Sequence, residues 1–478
     1  MNYQRALFFL ALSIFAIGAQ AQQPWTLQRC ISYIEENNLN LKQMEFQVQN
    51  AEWQLKQSQF SRIPSLNADV RGGVQFGRTI DPTTNSFDNQ TIGFNSYSLN
   101  GGIPVYNGNS INRSIQRDKL DLRATKLEAE DMFNTLALTA ASSYLEILLA
   151  QEQLENAKQQ VTQSEAQLEQ IDRLIQAGAL PKNDRLDVIA QLALNEQNAI
   201  QAENALSIAK LNLKNILQID PSEPIEVVQP DIDKIIVGND PDNYSADEVY
   251  VNALGIMPII EANDLRLQSS EKNVDVFRSQ MLPNLFLFGS LTTNWSSVGQ
   301  VVDGTTLAFV PISIRNPTDG TVSTLEIGQE VPIFSDDSYF NQLRTNFGQS
   351  VGMTLSIPIF NNYSNKVRVE QAKLGVLTAR VNRTANRQQL KVDVQNAVNN
   401  ARASKRIYNA AQTSLEAATV AYENAQKQFE VGAFNTFELT TAKIRKDTAE
   451  IELIRSKYQY LFNLKVVDFY QGKSLDIQ

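Results

Sequence analysis

The amino-acid sequence predicts a mixed α and β membrane protein with an internal duplication. Four β-strands per chain are expected to be completed into a barrel by further copies and to lead into long coiled-coil helices. Three observations predict it. Offsetting the chain by 254 residues superposes Ile103-Pro104-Val105-Tyr106-Asn107 on Ile357-Pro358-Ile359-Phe360-Asn361. Segments of roughly ten residues alternate apolar and polar side chains, and far longer segments repeat apolar residues every seven.

Composition narrows the chemistry before any element is placed. The 478 residues hold 42 Lys+Arg against 52 Asp+Glu, a formal charge of -10, and this acidic balance disfavours nucleic acid as a partner. There is no histidine, which excludes a Ser-His-Asp triad, a Cys-His pair and a His-ligated metal. The single cysteine, Cys30, rules out an internal disulfide and a cysteine-cluster zinc site. No cofactor and no metal are expected.

Residues 1–21 read as a signal peptide. Arg5 is the only charge, Ala6 to Ile17 form an apolar run too short to span a bilayer, and Ala19-Gln20-Ala21 places cleavage before Gln22. No cysteine follows that cut to carry a lipid. Beyond it no 18-residue apolar run is evident. Membrane entry is therefore expected through strands.

The duplication sets the order of elements. Ser110 falls on Ser364, Lys119 on Lys373, and Gly178-Ala179 on Gly432-Ala433, so Pro104 to Gly178 and Pro358 to Gly432 each span 74 residues. An earlier proline opens each half, in Pro64-Ser65-Leu66 and Pro283-Asn284-Leu285. The paired prolines are 40 residues apart in the first half and 75 in the second, and the extra 35 are read as a loop between about Ser296 and Asn346. The Pro-rich stretch Asp220 to Pro241 reads as irregular linker. The first repeat is expected over 22–245, with a helix, strands 65–76 and 96–106, a long helix about 109–176, a tip turn 178–183, a return helix about 184–218 and a linker 219–245. The second is expected over 246–478, with a helix, strands 284–295 and 348–360, a long helix about 363–430, a tip turn 432–437, a return helix about 438–465 and a C-terminal segment.

The strands rest on period two. Leu66, Ala68, Val70 and Val74 alternate with Asn67, Asp69 and Arg71; Tyr97, Leu99 and Ile103 alternate with Ser96, Ser98 and Asn100. Leu285, Leu287, Leu291 and Trp295 alternate with Ser290, Thr292 and Asn294, although Phe286 and Phe288 blur the pattern; Val351, Met353, Leu355, Ile357 and Ile359 close the set. Aromatics gather towards the strand ends, with Tyr106, Phe360 and Tyr363 at one rim and Phe76, Phe94, Trp295 and Phe347 towards the other. Such segments also suit a soluble β-sandwich, but four strands set between long helices fit one poorly.

The helices rest on period seven. Ile147, Leu154, Val161, Leu168 and Ile175 lie seven apart, with Ala150, Ala157, Ser164 and Ile171 three residues after the first four. Tyr408, Leu415, Tyr422 and Phe429 repeat this in the second half, and return helices follow in Leu192, Ala199, Leu206, Leu213 and in Ile444, Ile451, Tyr458. If largely helical, the stretch from Pro104 to Gly178 rises about 110 Å, which suits a structure bridging distant surfaces. Four strands leave two edges, which hydrocarbon does not tolerate, and about eight strands close the smallest barrels. Several copies must therefore contribute.

These segments resemble the TolC family of outer-membrane efflux channels. The resemblance is carried by Trp25-Thr26-Leu27 opening a helix through Glu35-Glu36-Asn37-Asn38, by Arg62-Ile63-Pro64-Ser65-Leu66, by the Ile-Pro-Val-Tyr and Ile-Pro-Ile-Phe corners, and by Gly178 and Gly432. It implies a homotrimer with a 12-stranded barrel continuous with a periplasmic coiled-coil barrel, set in outer-membrane lipid. Loops Arg78–Phe94 and Ser296–Asn346 would face outside. It also implies a passive conduit for drugs, toxins or proteins, as in tripartite efflux or type I secretion, working with a periplasmic adaptor and an inner-membrane pump. No catalytic residue is expected.

The resemblance further implies carboxylates six and nine residues after the tip glycines. They fall on Asp184 and Asp187 in the first half, and on Glu438 and Thr441 in the second. Asp184, Asp187 and Glu438 are thus candidates for a periplasmic gate, where a ring of acids favours cations. Asp184 also suits a helix N-terminus, and Asn435 with Glu438 has capping-box spacing, so capping and gating both stand. The tip segments Gly178-Ala179-Leu180 and Gly432-Ala433-Phe434 match the turns that adaptors meet. Leu180 and Phe434 either contact a partner there or fold back on their own hairpin. A non-conducting structural or adhesive outer-membrane protein is the alternative, and adjacent Asp336-Asp337 has no motif to support hydrolysis.

Overall fold

The computed structural model describes residues 24–80, 87–88, 91–230, 240–315, 317–318, 320–473 and 475. The expected signal peptide and its cleavage point before Gln22 lie outside the described residues, as do 231–239 of the linker and 81–86 and 89–90 of the first outer loop. The chain divides into two compact units. One holds the described residues up to Trp53 together with Lys119–Ser269 and Val376–Gln478, and the other holds Gln54–Asp118 and Ser270–Gly375.

The second unit is built on strands. They are β1 (Ser65–Gln75), β2 (Thr79–Ile80), β3 (Phe87–Asp88), β4 (Ile92–Asn107), β5 (Asn284–Ser296), β6 (Gln300–Arg315), β7 (Val322–Asp336) and β8 (Gly348–Ser356). The main sheet runs β1-β4-β5-β8, antiparallel throughout. Its register aligns the alternation across strands: Val70 faces Tyr97, Leu99 faces Leu291, and Leu287 faces both Ile103 and Met353. One face is thus apolar, with Val70 at 71 % and Val351 at 83 % exposure. The other carries Asp69, Ser98, Asn100 and Ser290, joined by hydrogen bonds such as Ser290 Oγ donating to Asn100 Oδ1 at 2.8 Å.

Phe286 and Phe288 lie on this polar face over glycines. A Cβ on Gly102 would meet the Phe286 ring at 2.5 Å, and one on Gly352 would meet the Phe288 ring at 2.6 Å. That packing accounts for the blurred alternation in β5. β4 starts at Ile92, earlier than the alternation suggests, and absorbs Pro104 at a register shift between Pro104 and Tyr106. β8 stops at Ser356, short of the expected 360; Pro358 can offer no N–H to a ladder.

The segment read as a loop between about 296 and 346 is mostly structured. β6 and β7 form a separate two-stranded ladder, and α7 (Tyr339–Thr345) follows; the remaining helices are numbered in chain order below. Pro311 and Pro332 hid the hairpin from a reading by periodicity, because proline inside a run argues against a strand. A two-stranded ladder has outer edges on which a missing N–H is tolerated. At the strand-to-helix corners, Gly108 and Asn109 have positive φ, and so do Asn362 and Tyr363, at the same offset of 254.

The first unit is helical. It is formed by α1 (Leu27–Asn37), α4 (Asp184–Leu217), α5 (Ala246–Ile256), α9 (Thr436–Tyr470) and its portions of α2 (Leu39–Phe60), α3 (Ser110–Gln176), α6 (Pro258–Ser279) and α8 (Ser364–Glu430). α3 and α8 have 67 residues each. Thr26 caps α1 by accepting from Arg29 N at 3.2 Å, and Asn38 ends it. Asn38 donates to Ile216 O at 3.0 Å and accepts from Asn40 N and Leu41 N, which starts α2. Trp25 bridges Val227, and the Tyr144 hydroxyl donates to the carbonyls of Trp25 and Val228. Burial holds that phenol far above its usual range.

α3 contains a stretch apolar and long enough to cross a membrane by length and composition, where none was expected after residue 21. Its Ala140, Ala141, Tyr144, Leu145, Ile147 and Leu148 are buried against Leu27, Ile34, Leu213, Leu217 and Leu461. Core packing accounts for the apolar run. α9 continues beyond the expected 465 to Tyr470, because Val467 is buried with Val249 and Ala253 of α5 and Val394 and Val398 of α8.

Candidate functional site

The two helical turns of the first unit are the sequence-predicted site. At the α3–α4 turn, Gly178 has φ +73°, its N–H donates to Ile175 O at 3.0 Å, and Ala179 N donates to Leu174 O at 2.9 Å. At the α8–α9 turn, Gly432 has φ +74°, its N–H donates to Phe429 O at 3.0 Å, and Ala433 N donates to Gln428 O at 2.8 Å. These are matching left-handed caps that close orphan carbonyls. A Cβ at either glycine would touch nothing within 4 Å among the described residues, so backbone conformation selects glycine there.

The side chains after the glycines behave differently. Leu180 and Phe434 are half-buried against Ile171, Val188, Ala425, Phe429 and Leu439, so both fold back on the tips while Ala179 and Ala433 stay exposed. Glu438 completes a capping box: its carboxylate accepts from Asn435 N, and Glu438 N donates to Asn435 Oδ1, each at 2.9 Å. Asp184 is the first residue of α4 and accepts from Thr436 Oγ1 at 3.0 Å, tying one tip to the other. Its neighbour Asn183 makes no side-chain cap. Asp187 is exposed, and Arg185 pairs with Asp172 at 2.7 Å. Thr441 donates to its own helix at Phe437 O, 2.8 Å away. The structure therefore joins Asp184 to the second tip through Thr436, a residue sequence reasoning missed.

Behind the tips lies polar chemistry that the heptads concealed. Lys443 and Asp447 pair at 2.8 Å with side chains 2 % and 9 % exposed. Buried Asp447 Oδ1 and Thr440 Oγ1 have no hydrogen-bond partner among the described residues. The expected seam put Ile444 inside, yet it is 42 % exposed and Lys443 takes the interior position. Between α3 and α4, Asn195 donates to Ser164 Oγ at 2.7 Å and accepts from Gln191 at 2.9 Å, while Gln160 donates to Asn156 at 2.7 Å. Burial and the Asp447 charge push the Tyr422 phenol up. Among the described residues, no group of three or more His, Cys, Asp or Glu side chains is placed to hold a metal.

The described fold has clear relatives. The family model "Outer membrane efflux protein" matches residues 30–217 and 249–468. The chain is 22 % identical to outer membrane protein TolC of Salmonella enteritidis over 281 residues, 57 % of this chain and 56 % of that protein. With TolC of Escherichia coli (strain K12) it shares 21 % over 258 residues, 53 % of this chain and 51 % of the relative. It thus spans about half the length of the curated relatives it matches. Among solved structures it resembles CusC, with TM-score 0.74 at 16 % identity over 94 % of this chain and 92 % of that one. It also resembles the outer membrane protein VceC of Vibrio cholerae, with TM-score 0.72 at 12 % identity over 94 % and 97 %. The open state of the Neisseria gonorrhoeae MtrE outer membrane channel gives TM-score 0.69 at 16 % identity over 94 % and 89 %. Matched along both halves, the chain belongs to the outer membrane efflux protein family.

Proposed function

We propose that the chain is an outer-membrane channel, a passive conduit whose barrel is closed by three copies. The observation that carries this reading is the sheet β1-β4-β5-β8, which has one apolar face, one polar face and edge strands β1 and β8 whose outer edges are unpaired among the described residues. Pairing β8 to a neighbour's β1 gives four strands per copy and twelve in the ring. The duplicated halves then each supply two strands and a helical hairpin.

A passive conduit needs an energy source elsewhere. The channel works with a periplasmic adaptor and an inner-membrane pump in a tripartite efflux or type I secretion system, the adaptor meeting the turns at Gly178-Ala179 and Gly432-Ala433. Asp187, exposed beside the tip, is the stronger gate candidate; Asp184 and Glu438 are held by Thr436 and Asn435. Purified protein is expected to be a trimer and to pass current in a planar bilayer. A trimer that passes no current would favour the structural or adhesive reading instead. Within a conducting channel, Asp187→Asn is expected to lower cation preference more than Glu438→Gln, and equal selectivity of both variants with the parent would remove the acids from the gate.

A further inference from the structure

The main sheet repeats its own register. β5 follows β1 by 219 residues, the spacing of Pro64 and Pro283, and β8 follows β4 by 254. In the β1–β4 ladder, Ser65 faces Gly102 and Gly73 faces Phe94. In the β5–β8 ladder, Asn284 faces Ser356 and Thr292 faces Gly348, the same pairs at those two offsets. The sheet is therefore one strand pair used twice and joined at β4–β5.

One segment shows what the join supplies. β4 runs on through Pro104 to Asn107, because β5 pairs with it there: Ile103 faces Leu287, Tyr106 faces Leu285 and Asn107 faces Asn284. The equivalent residues after β8, Ile357-Pro358-Ile359-Phe360-Asn361, pair with no strand among the described residues, and Ile359 is 94 % exposed. The two segments are alike in sequence. They differ in that β4 lies inside the sheet and β8 at its edge.

The repeat names the partner that the edge lacks. The twin of β5 is β1, and the β1 that can lie beside β8 belongs to another copy. We propose that β8 of one copy pairs with β1 of the next in the register of the internal β4–β5 junction, and that residues 357–361 complete that ladder as strand. The internal pairs Gly101–Gly289 and Gly102–Phe288 become Leu355–Val70 and Ser356–Asp69 between copies. Alternation fixes only the parity of this match, since slips of two residues would also join apolar to apolar and polar to polar. The repeat chooses among them. The flanking helices follow the same mapping. Within the chain Arg113 Nη1 donates to Ser279 Oγ at 2.8 Å, and the equivalents of this pair between copies are Val367 and Phe60, 47 % and 63 % exposed. Each junction between copies then carries Asp69 and Arg71 on the polar face, where the internal junction carries Phe288 and Ser290. This register rests on the proposed ring.

Oxidative crosslinking of the full-length chain tests it. Buried Cys30 stays silent. Residues directly opposed across an antiparallel pair lie about 4.5–5.5 Å apart, within disulfide reach, and those displaced by two lie about 7–8 Å apart, beyond it. Val70→Cys with Leu355→Cys is expected to give a covalent trimer on denaturing gels. Within one chain β4 and β5 lie between these positions, so the bond forms only between copies. Val70→Cys with Met353→Cys, or with Ile357→Cys, is expected to run as a monomer on the same gels. Asp69→Cys with Ser356→Cys reads the same register from the polar face and is expected to crosslink, which serves if the first pair fails to assemble. A native trimer that links through Met353→Cys or Ile357→Cys instead, or through none of these pairs, overturns the register and leaves the ring standing. A monomeric native mass would remove the ring itself, and with it both proposals.

Discussion

The two helical hairpins share a backbone plan and differ in what they bury. Their turns superpose at an offset of 254, down to the same positive φ at Gly178 and Gly432. Inside, α3 and α4 enclose a neutral network of Ser164, Asn195, Gln191 and Gln160, whereas α9 encloses the ion pair Lys443–Asp447. At that offset Ser164 falls on Ala418 and Asn195 on Ala449, while Lys443 falls on Ile189 and Asp447 on Ala193. Neither network has a counterpart in the other hairpin. The tips differ too: Asn435 caps α9, and Asn183 does not cap α4. Equivalent geometry therefore leaves the polar chemistry of each hairpin free to diverge, because a left-handed turn and a heptad seam constrain shape more than they constrain charge.

The sharpest way to break the comparison is at the ion pair. Lys443→Met leaves Asp447 buried without its cation and is expected to cost about 3–5 kcal/mol. Joining it to Asp447→Leu should restore most of that loss in thermal unfolding of the detergent-solubilised protein. A single-variant loss near that of an exposed pair, about 1 kcal/mol or less, would mean that Asp447 is reached by water.

A smaller effect is expected in the neutral network. Asn195→Leu orphans the Ser164 hydroxyl and the Gln191 amide, at about 1–3 kcal/mol, with no rescue from a single partner change. The smallest contrast lies at the tips. Asn435→Ala is expected to cost about 1 kcal/mol. Asn183→Ala should change stability by no more than about 0.5 kcal/mol. Amide exchange at the first turn of α9 against that of α4 reads this difference directly, and equal acceleration in both variants would erase the asymmetry.

How much was legible follows the same division. The period-two segments predicted four strands because one face of each is mostly apolar, and the register then aligned those faces across the sheet. The capping box was visible because Asn435 and Glu438 are local and fixed in spacing. The β6–β7 hairpin was missed because Pro311 and Pro332 mask a strand whose edges happen to be free. Lys443 was missed because a long side chain beside a seam residue can turn either way, and only packing against neighbouring helices decides which residue is interior. Thr436 was missed because its partner, Asp184, is 252 residues distant.

By itself the sequence determined what repeats and what is local: period, turn glycines, caps, the absence of histidine and the duplicated order of elements. These depend on backbone conformation and side-chain type within a few residues. The tertiary structure decided which of two adjacent residues faces inward, how the tips are tied together, and that an apparent loop is a two-stranded hairpin. Such choices compare the burial of one surface with that of another, and both surfaces exist only once distant segments have met.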